Sequence, residues 1–226
     1  MTNIRARCWT EQGSRQNQED RFYYSPMQGL FAVADGLGGH DDGERAAQTA
    51  IDVLTICDRL PSEEAMRNVF VEVHARVMDL GKCRITKTKE HKFSCGCRPP
   101  GTTFSALWLS GSTAIVGHVG DTRIWHIRGN SAAMRTVDHK SDWGSLSKAL
   151  GLACGDDPDV STLATTPGDV FVIVSDGVAL AGEDLTLIVR GSGWDGIAER
   201  IVSMGQRRYA ERWPTDNATA VVVEIL

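Results

Sequence analysis

The stretch VFVIVSDG, residues 170–177, places five apolar residues directly ahead of a serine and Asp176. A strand that is buried on both faces has this near-continuous run of Val, Ile and Phe. Three other apolar strands also meet a turn at an aspartate: LFAVADG at Asp35, AIVGHVGD at Asp121, and TDN before ATAVVVEIL at Asp216. A carboxylate at a strand rim is half-desolvated, which is costly unless its charge is paired or binds a metal. The four positions together predict an oxygen-rich site for a hard divalent cation, Mg²⁺ or Mn²⁺.

Working outward, strands occur in blocks with helices between the blocks. Strands are predicted at 4–10, 21–25, 30–35, 102–110, 113–121, 123–128, 132–137, 160–164, 170–176 and 217–226, and those from 102 to 137 are predicted to form one meander. Helices are predicted at 43–58, 62–80, 184–189 and 194–204, with a short helical stretch at 145–150. Ser62 is the predicted N-cap of the second helix. Blocks of strands and helices, rather than alternating βαβ units, predict an α+β sandwich.

Length and composition narrow the class of protein. The chain has 226 residues, 42% of them hydrophobic and 23% charged, which predicts one globular domain over 1–226. A net charge of -5 and the lack of a basic stripe argue against nucleic-acid partners, including a nuclease role. The apolar runs fall short of the roughly 20 residues that span a bilayer, and no signal-peptide pattern is seen. A cytoplasmic monomer with no membrane partner is therefore expected.

The segment 81–100 carries a cluster of possible metal ligands: Cys83, His91, Cys95 and Cys97. Zinc is one interpretation, but Cys95 and Cys97 are spaced more tightly than the usual CxxC pair. The other is a loop carrying free thiols, because the segment is rich in Lys, Thr, Gly and Pro. Six scattered cysteines are typical of reduced thiols in the cytosol.

Two polar motifs each permit a plain and a functional interpretation. Asp35-Gly36 is either an ordinary turn after a strand or a pair in which the Gly36 carbonyl approaches a cation held by Asp35. The run from Ser14 to Arg21 is either a solvated hairpin tip or a substrate site. In the second case Arg15 would hold a phosphate with its planar guanidinium, and the following acidic pair would order metal-bound waters.

Taken in order, the motifs resemble the metal-dependent protein phosphatases of type 2C, the PPM family. The ordered set is specific although each piece is short. It comprises RxxxED at 15–20, DGxGG at 35–39, GTT at 101–103, GDTR at 120–123, DH at 138–139, KALG at 148–151, SDG at 175–177 and DN at 216–217.

The resemblance implies a fold and a set of site residues. The fold would be a four-layer α-β-β-α sandwich, in which two antiparallel sheets are flanked by helix pairs. Asp35 would bridge two metal ions, with the Gly36 carbonyl on the second and Asp176 and Asp216 completing the first. Asp121 would help Asp176 to hold a third, looser ion. Glu19 and Asp20 would bind water molecules held by the metal ions. Arg15 would bind the substrate phosphate.

The implied enzyme is a bacterial-type serine/threonine phosphoprotein phosphatase that depends on two Mn²⁺ or Mg²⁺ ions, with room for a third. A metal-activated water would attack the phosphomonoester, and the enzyme would oppose a Ser/Thr kinase. The chain departs from the family at Leu37, where eukaryotic members carry histidine, at Gln18, and in a short 139–150 segment. His40 lies nearby at a different offset. The alternative is a catalytically weak module that senses phosphoprotein.

Overall fold

The computed structural model describes residues 3–37, 42–57, 60–82, 99–153, 157–191, 193–211 and 213–226. His40 and the cluster Cys83, His91, Cys95 and Cys97 lie outside these ranges, so the interpretations placed on them are not addressed by the structure. Within the described ranges, every helix is too short or too polar to cross a bilayer.

Two antiparallel sheets of five strands each form the centre of the fold. The first sheet has the order β1-β10-β9-β6-β7 and the second the order β2-β3-β4-β5-β8. The strands are β1 (Ile4–Glu11), β2 (Asp20–Ser25), β3 (Leu30–Asp35), β4 (Phe104–Ser110), β5 (Thr113–Val119), β6 (Arg123–Arg128), β7 (Ser131–Met134), β8 (Asp159–Ala164), β9 (Val170–Val174) and β10 (Ala218–Ile225).

Helices cover the outer face of each sheet. α1 (Gly43–Thr55) and α2 (Glu63–Lys82) pack on the second sheet, and α3 (Gly182–Gly191) and α4 (Ile197–Ala210) pack on the first. In α2 the buried Met66, Val69, Phe70, Val73 and Val77 recur with the helical period and form the face that meets the sheet. The predicted four-layer α-β-β-α sandwich is confirmed.

The inner faces of the two sheets share a third apolar cluster. Fully buried side chains from both sheets meet there, among them Phe31, Leu107, Ile124, Phe171 and Val221. The alternate residues of the same central strands point outward to the helices, so these strands are apolar throughout. This explains why the strand that ends at Asp176 reads as an unbroken apolar run.

Two local predictions were wrong. The strands from 102 to 137 do not form one meander: β4 and β5 pair in the second sheet, whereas β6 and β7 pair in the first. The chain changes sheets after Gly120, whose φ of 112° is accessible to few residues other than glycine. The stretch 145–150 is not helical, because Leu146 and Leu150 form isolated bridges with Lys140 and Thr102.

Candidate active site

Antiparallel pairing brings the four strand-end aspartates to one edge of the sandwich. In the first sheet the end of β9 lies beside the start of β10, so Asp176 and Asp216 are neighbours. In the second sheet the ends of β3 and β5 lie on either side of the start of β4, so Asp35 and Asp121 meet there. All four carboxylates line one cavity of about 260 Å³. The acidic edge is therefore a consequence of strand order.

The glycine after each aspartate in the two DG motifs is required by close backbone packing. A Cβ on Gly36 would lie 2.3 Å from the carbonyl oxygen of Gly43, and one on Gly177 would lie 2.0 Å from that of Asn217. Real side chains do not approach so closely, so any larger residue would push the neighbouring segment away. The glycines thus let the turns that carry Asp35 and Asp176 approach their neighbours.

The GTT motif fixes the backbone at Asp35. The carbonyl oxygen of Asp35 accepts hydrogen bonds from the Thr102 hydroxyl and the Thr103 amide, both at 2.9 Å. The Asp35 amide donates to the Thr103 hydroxyl at 3.2 Å. In the sequence these threonines predicted only the start of a strand. Both threonines follow closely after Pro100. That position gave no sign that they would bind the backbone of Asp35, which lies 67 residues before Thr102.

Asn217 ties the Arg15 loop to the acidic edge. Its side-chain amide donates to the carbonyl oxygens of Gln12 at 2.7 Å and Asn17 at 3.0 Å, and its Oδ1 accepts the amide of Glu19 at 2.8 Å. The loop that contains Arg15 is therefore held against the residue that follows Asp216. The sequence identified Asn217 as part of the DN motif but gave no sign of this role.

Glu19 and Asp20 take different positions. Glu19 lines the cavity, whereas Asp20 is only 2% exposed and lies behind the wall, paired in register with Asp35. One oxygen of Asp20 accepts the Ser175 hydroxyl at 2.7 Å. Its other oxygen, Oδ1, has no hydrogen-bond partner among the described residues. A buried carboxylate oxygen without a partner is a position at which an ordered water or ion is expected.

Burial and mutual repulsion make the charged forms of these carboxylates energetically costly. Burial raises the pKa of Asp20 to about 7, with hydrogen bonds from Ser175 and Thr219 opposing the rise. Burial, followed by the charges of Asp121 and Asp216, raises the pKa of Asp176 to about 6. Burial and the neighbouring charges of Asp20 and Asp176 also hold the pKa of Asp35 well above its ordinary value. A divalent cation would remove this penalty, since it favours the charged form of every carboxylate it binds.

Two basic side chains share the cavity with these acids. Arg15 donates to the Asp216 carboxylate and leaves 51% of its side chain exposed at the mouth. The Lys140 ammonium lies 2.9 Å from Asp121. Burial opposes the charge on Lys140, but the hydrogen bond and charge of Asp121 outweigh it and raise the pKa of this amine. Sequence reasoning missed Lys140, although it directly follows the quoted motif Asp138-His139.

As the side chains stand, no three acidic, histidine or cysteine groups among the described residues enclose an ion position. Asp216 is held by Arg15 and Asp121 by Lys140 in ion pairs. The donor set still fits a hard divalent ion. It consists of carboxylate oxygens and backbone carbonyls, one buried oxygen lacks a partner, and the charges repel one another.

Comparison with known proteins identifies the family. Residues 11–213 match the family model described as protein phosphatase 2C. A putative protein phosphatase 2C-type protein of Streptococcus pyogenes is 26% identical over 187 residues, which is 72% of this chain and 73% of that protein. The serine/threonine protein phosphatase PstP of Mycobacterium tuberculosis is 25% identical over 94% of this chain, and the match covers 43% of PstP. The chain belongs to the protein phosphatase 2C family.

Solved structures share the fold over nearly the whole chain. The catalytic domain of PstP, solved in complex with two manganese ions, superimposes with a TM-score of 0.83 and 22% identity, covering 99% of this chain and 98% of that one. PppA, a regulatory component of the type VI secretion system in Pseudomonas aeruginosa, gives a TM-score of 0.81 at 25% identity over 99% and 98% of the chains. The predicted family and its class of enzyme, serine/threonine protein phosphatases, are confirmed.

The predicted site residues thus meet at one place. Asp35, Gly36, Asp121, Asp176, Asp216, Glu19 and Arg15 line the cavity, and Asp20 supports it from behind. Leu37 also lines the cavity, at the position where the resemblance would allow a histidine. The individual roles of these residues stay predictions.

Proposed function

We propose that this chain is a phosphatase of phosphoserine and phosphothreonine in proteins, using two Mn²⁺ or Mg²⁺ ions held at the acidic cavity. The observation that carries the proposal is the convergence of four carboxylates from four separate segments, with Arg15 at the mouth. The two manganese ions in complex with the catalytic domain of PstP support the choice of metal. The substrate would come from a Ser/Thr kinase, which this enzyme would oppose. The cytoplasmic location, the monomeric state and the single domain over 1–226 stay predictions.

Each part of the cavity has a distinct task in this proposal. Asp35, Asp176 and Asp216 would hold the ions together with the Gly36 carbonyl, and Glu19 and Asp20 would hold the waters around them. Bound ions would supply Lewis acidity and an activated water to phosphoryl transfer. Arg15 is half exposed and presents the planar fork of donors that matches phosphate oxygens, so it would bind and orient the substrate phosphoryl group. The open mouth suits a phosphorylated side chain that protrudes from a protein.

The test is phosphate release from p-nitrophenyl phosphate and from a phosphothreonine peptide, with and without Mn²⁺. We expect activity that requires the ion and disappears with EDTA. Asp35→Asn and Asp176→Asn keep the side-chain shape but remove charge, so each should lower activity by more than the roughly 10–100-fold that loss of an outer-sphere partner costs.

Asp195→Asn is the matched control, because the Asp195 side chain is 97% exposed and pairs only with Arg7 among the described residues. It should retain wild-type activity. Full activity in Asp35→Asn or Asp176→Asn would refute the assignment. A wild-type chain that binds Mn²⁺ and the phosphopeptide but releases no phosphate would favour the sensing module instead.

A further inference from the structure

Lys140 is placed at the cavity by its backbone as well as by its charge. The preceding residue, His139, donates its amide to the Gly120 carbonyl at 2.7 Å, and its Nδ1 accepts the Gly120 amide at 3.0 Å. The His139 ring also stacks on the buried His118, with ring centroids 4.9 Å apart. These contacts fix the segment immediately beside Asp121, so the backbone of Lys140 is held within reach of that carboxylate.

The Lys140–Asp121 pair differs from an ordinary surface ion pair. The Asp121 side chain is 9% exposed and that of Lys140 is 32% exposed, and both line the cavity. A second carboxylate, Asp138, lies 3.9 Å from the ammonium and is itself bound by Arg123 through two nitrogens, at 2.9 and 2.6 Å. Solvent and salt screen a partly buried pair less than an exposed one, and the neighbouring charges of this network help to hold it in place.

Three other acids of the site lack such a partner. Among the described residues, no basic side chain forms an ion pair with Asp20, Asp35 or Asp176. Divalent ions can therefore reach these carboxylates without displacing a bound ammonium group. A third divalent ion at Asp121 would have to compete with an ammonium group already seated there.

We propose that the Lys140 ammonium is the resident cation of Asp121, so that this chain binds two divalent ions and Asp121 binds none while Lys140 is present. The inference rests on the proposed function, because it concerns the same metal site. Under this proposal the third, looser ion expected at Asp121 and Asp176 would not bind.

The test counts Mn²⁺ ions bound to the full chain at pH 8, by calorimetric titration and by the electron paramagnetic resonance signal of free Mn²⁺. Wild type should bind two ions. Lys140→Met keeps the aliphatic chain but removes the charge, and should bind a third, weaker ion through the freed Asp121. The double variant Lys140→Met with Asp121→Asn should return to two.

Lys148→Met is the matched control, because Lys148 lies in the same segment and donates to the Asp157 carbonyl outside the cavity. It should bind two ions. Asp121→Asn alone gives a second, independent measurement: the count should stay at two, since Asp121 holds no ion in the wild type.

Three ions in the wild type, a lost ion in Asp121→Asn, or two ions in a folded Lys140→Met protein would each overturn the inference while leaving the proposed phosphatase activity intact. A wild-type chain that binds no Mn²⁺ would overturn the proposed function and this inference with it.

Discussion

Arg15 illustrates how one side chain serves two partners at the residue scale. In the structure it binds Asp216, and the charge of Asp176 also stabilises its guanidinium. In the proposed function, ions that neutralise these carboxylates would free the guanidinium to bind a substrate phosphate. The same residue would then offset the carboxylate charge in one state and contact substrate in the other.

Arg15→Ala should raise KM for p-nitrophenyl phosphate and lower kcat/KM roughly tenfold to hundredfold, since hydrogen bonds to charged groups contribute about 1.5–3 kcal/mol. Its Mn²⁺ affinity should not weaken, because the variant removes a competitor for Asp216. Steady-state kinetics and a Mn²⁺ titration check the two parts. Arg7→Ala, at an exposed pair with Asp195, is the control and should change neither. Weakened Mn²⁺ binding in Arg15→Ala would show that Arg15 positions the ligands instead.

At the scale of elements, the two predicted strands that carry Asp176 and Asp216 form as expected, but their alignment depends on a contact between turns. Gly177 lies against the Asn217 carbonyl, and Asn217 in turn holds the loop from Gln12 to Glu19. One close approach therefore sets the relative position of the turns that carry Asp176 and Asp216 and of the loop that carries Arg15.

Gly177→Ala should separate these turns, because its Cβ would start 2.0 Å from the Asn217 oxygen. We expect a stability loss of about 1–3 kcal/mol, as for other overpacked sites, together with weaker Mn²⁺ binding and lower activity. Chemical denaturation in EDTA and a Mn²⁺ titration measure the two effects. Gly191→Ala is the control, since no described atom lies within 4 Å of the point that its new Cβ would occupy, and it should stay within about 0.5 kcal/mol of wild type. Equal Mn²⁺ affinity in both variants would contradict this account.

The short segment 139–150 shows the limit of local reasoning at this scale. Its sequence permits a helical turn, but the segment instead folds back on itself, with Lys140 bridged to Leu146, and its two ends bond to Gly120 and Thr102. These partners are distant in sequence, so the backbone conformation was decided by tertiary contacts that outweigh a weak helix propensity. Lys140 was missed for the same reason, because its ion pair with Asp121 forms only when distant segments fold together.

For the whole molecule, folding gathers carboxylates that are independent in the unfolded chain. Burial raises the pKa values of Asp20 and Asp176 from 3.8 to about 7 and about 6, so without metal these carboxyls keep their protons to a higher pH than in the unfolded chain. Because the folded state then binds more protons than the unfolded state, these groups lower the free energy of unfolding as pH rises from about 4 to about 7. Metal ions bind the deprotonated carboxylates and so must displace these protons at low pH.

The rise in Tm produced by Mn²⁺ over EDTA should therefore be larger at pH 8 than at pH 5.5. Thermal unfolding under the four conditions measures it, and comparison at a fixed pH removes contributions from groups away from the site, such as His118. In Asp20→Asn, the Mn²⁺-induced rises in Tm at pH 8 and at pH 5.5 should differ less than in the wild type, because one proton-binding group is lost. An equal Mn²⁺-induced shift at both pH values would show that the ions do not bind these carboxylates.

The sequence by itself determined the apolar strands, the amphipathic helices, the α+β class and the identity of the acidic residues, because periodicity and burial cost act over short stretches of chain. The four-layer architecture was implied by the resemblance of the ordered motifs to a known family. Tertiary structure alone decided which sheet each strand joins, how Thr102, Thr103 and Asn217 orient the acidic turns, and that Lys140 neutralises Asp121. Those outcomes depend on contacts between segments far apart in the chain, such as Gln12 and Asn217, which are separated by 205 residues, and no local pattern encodes such a contact.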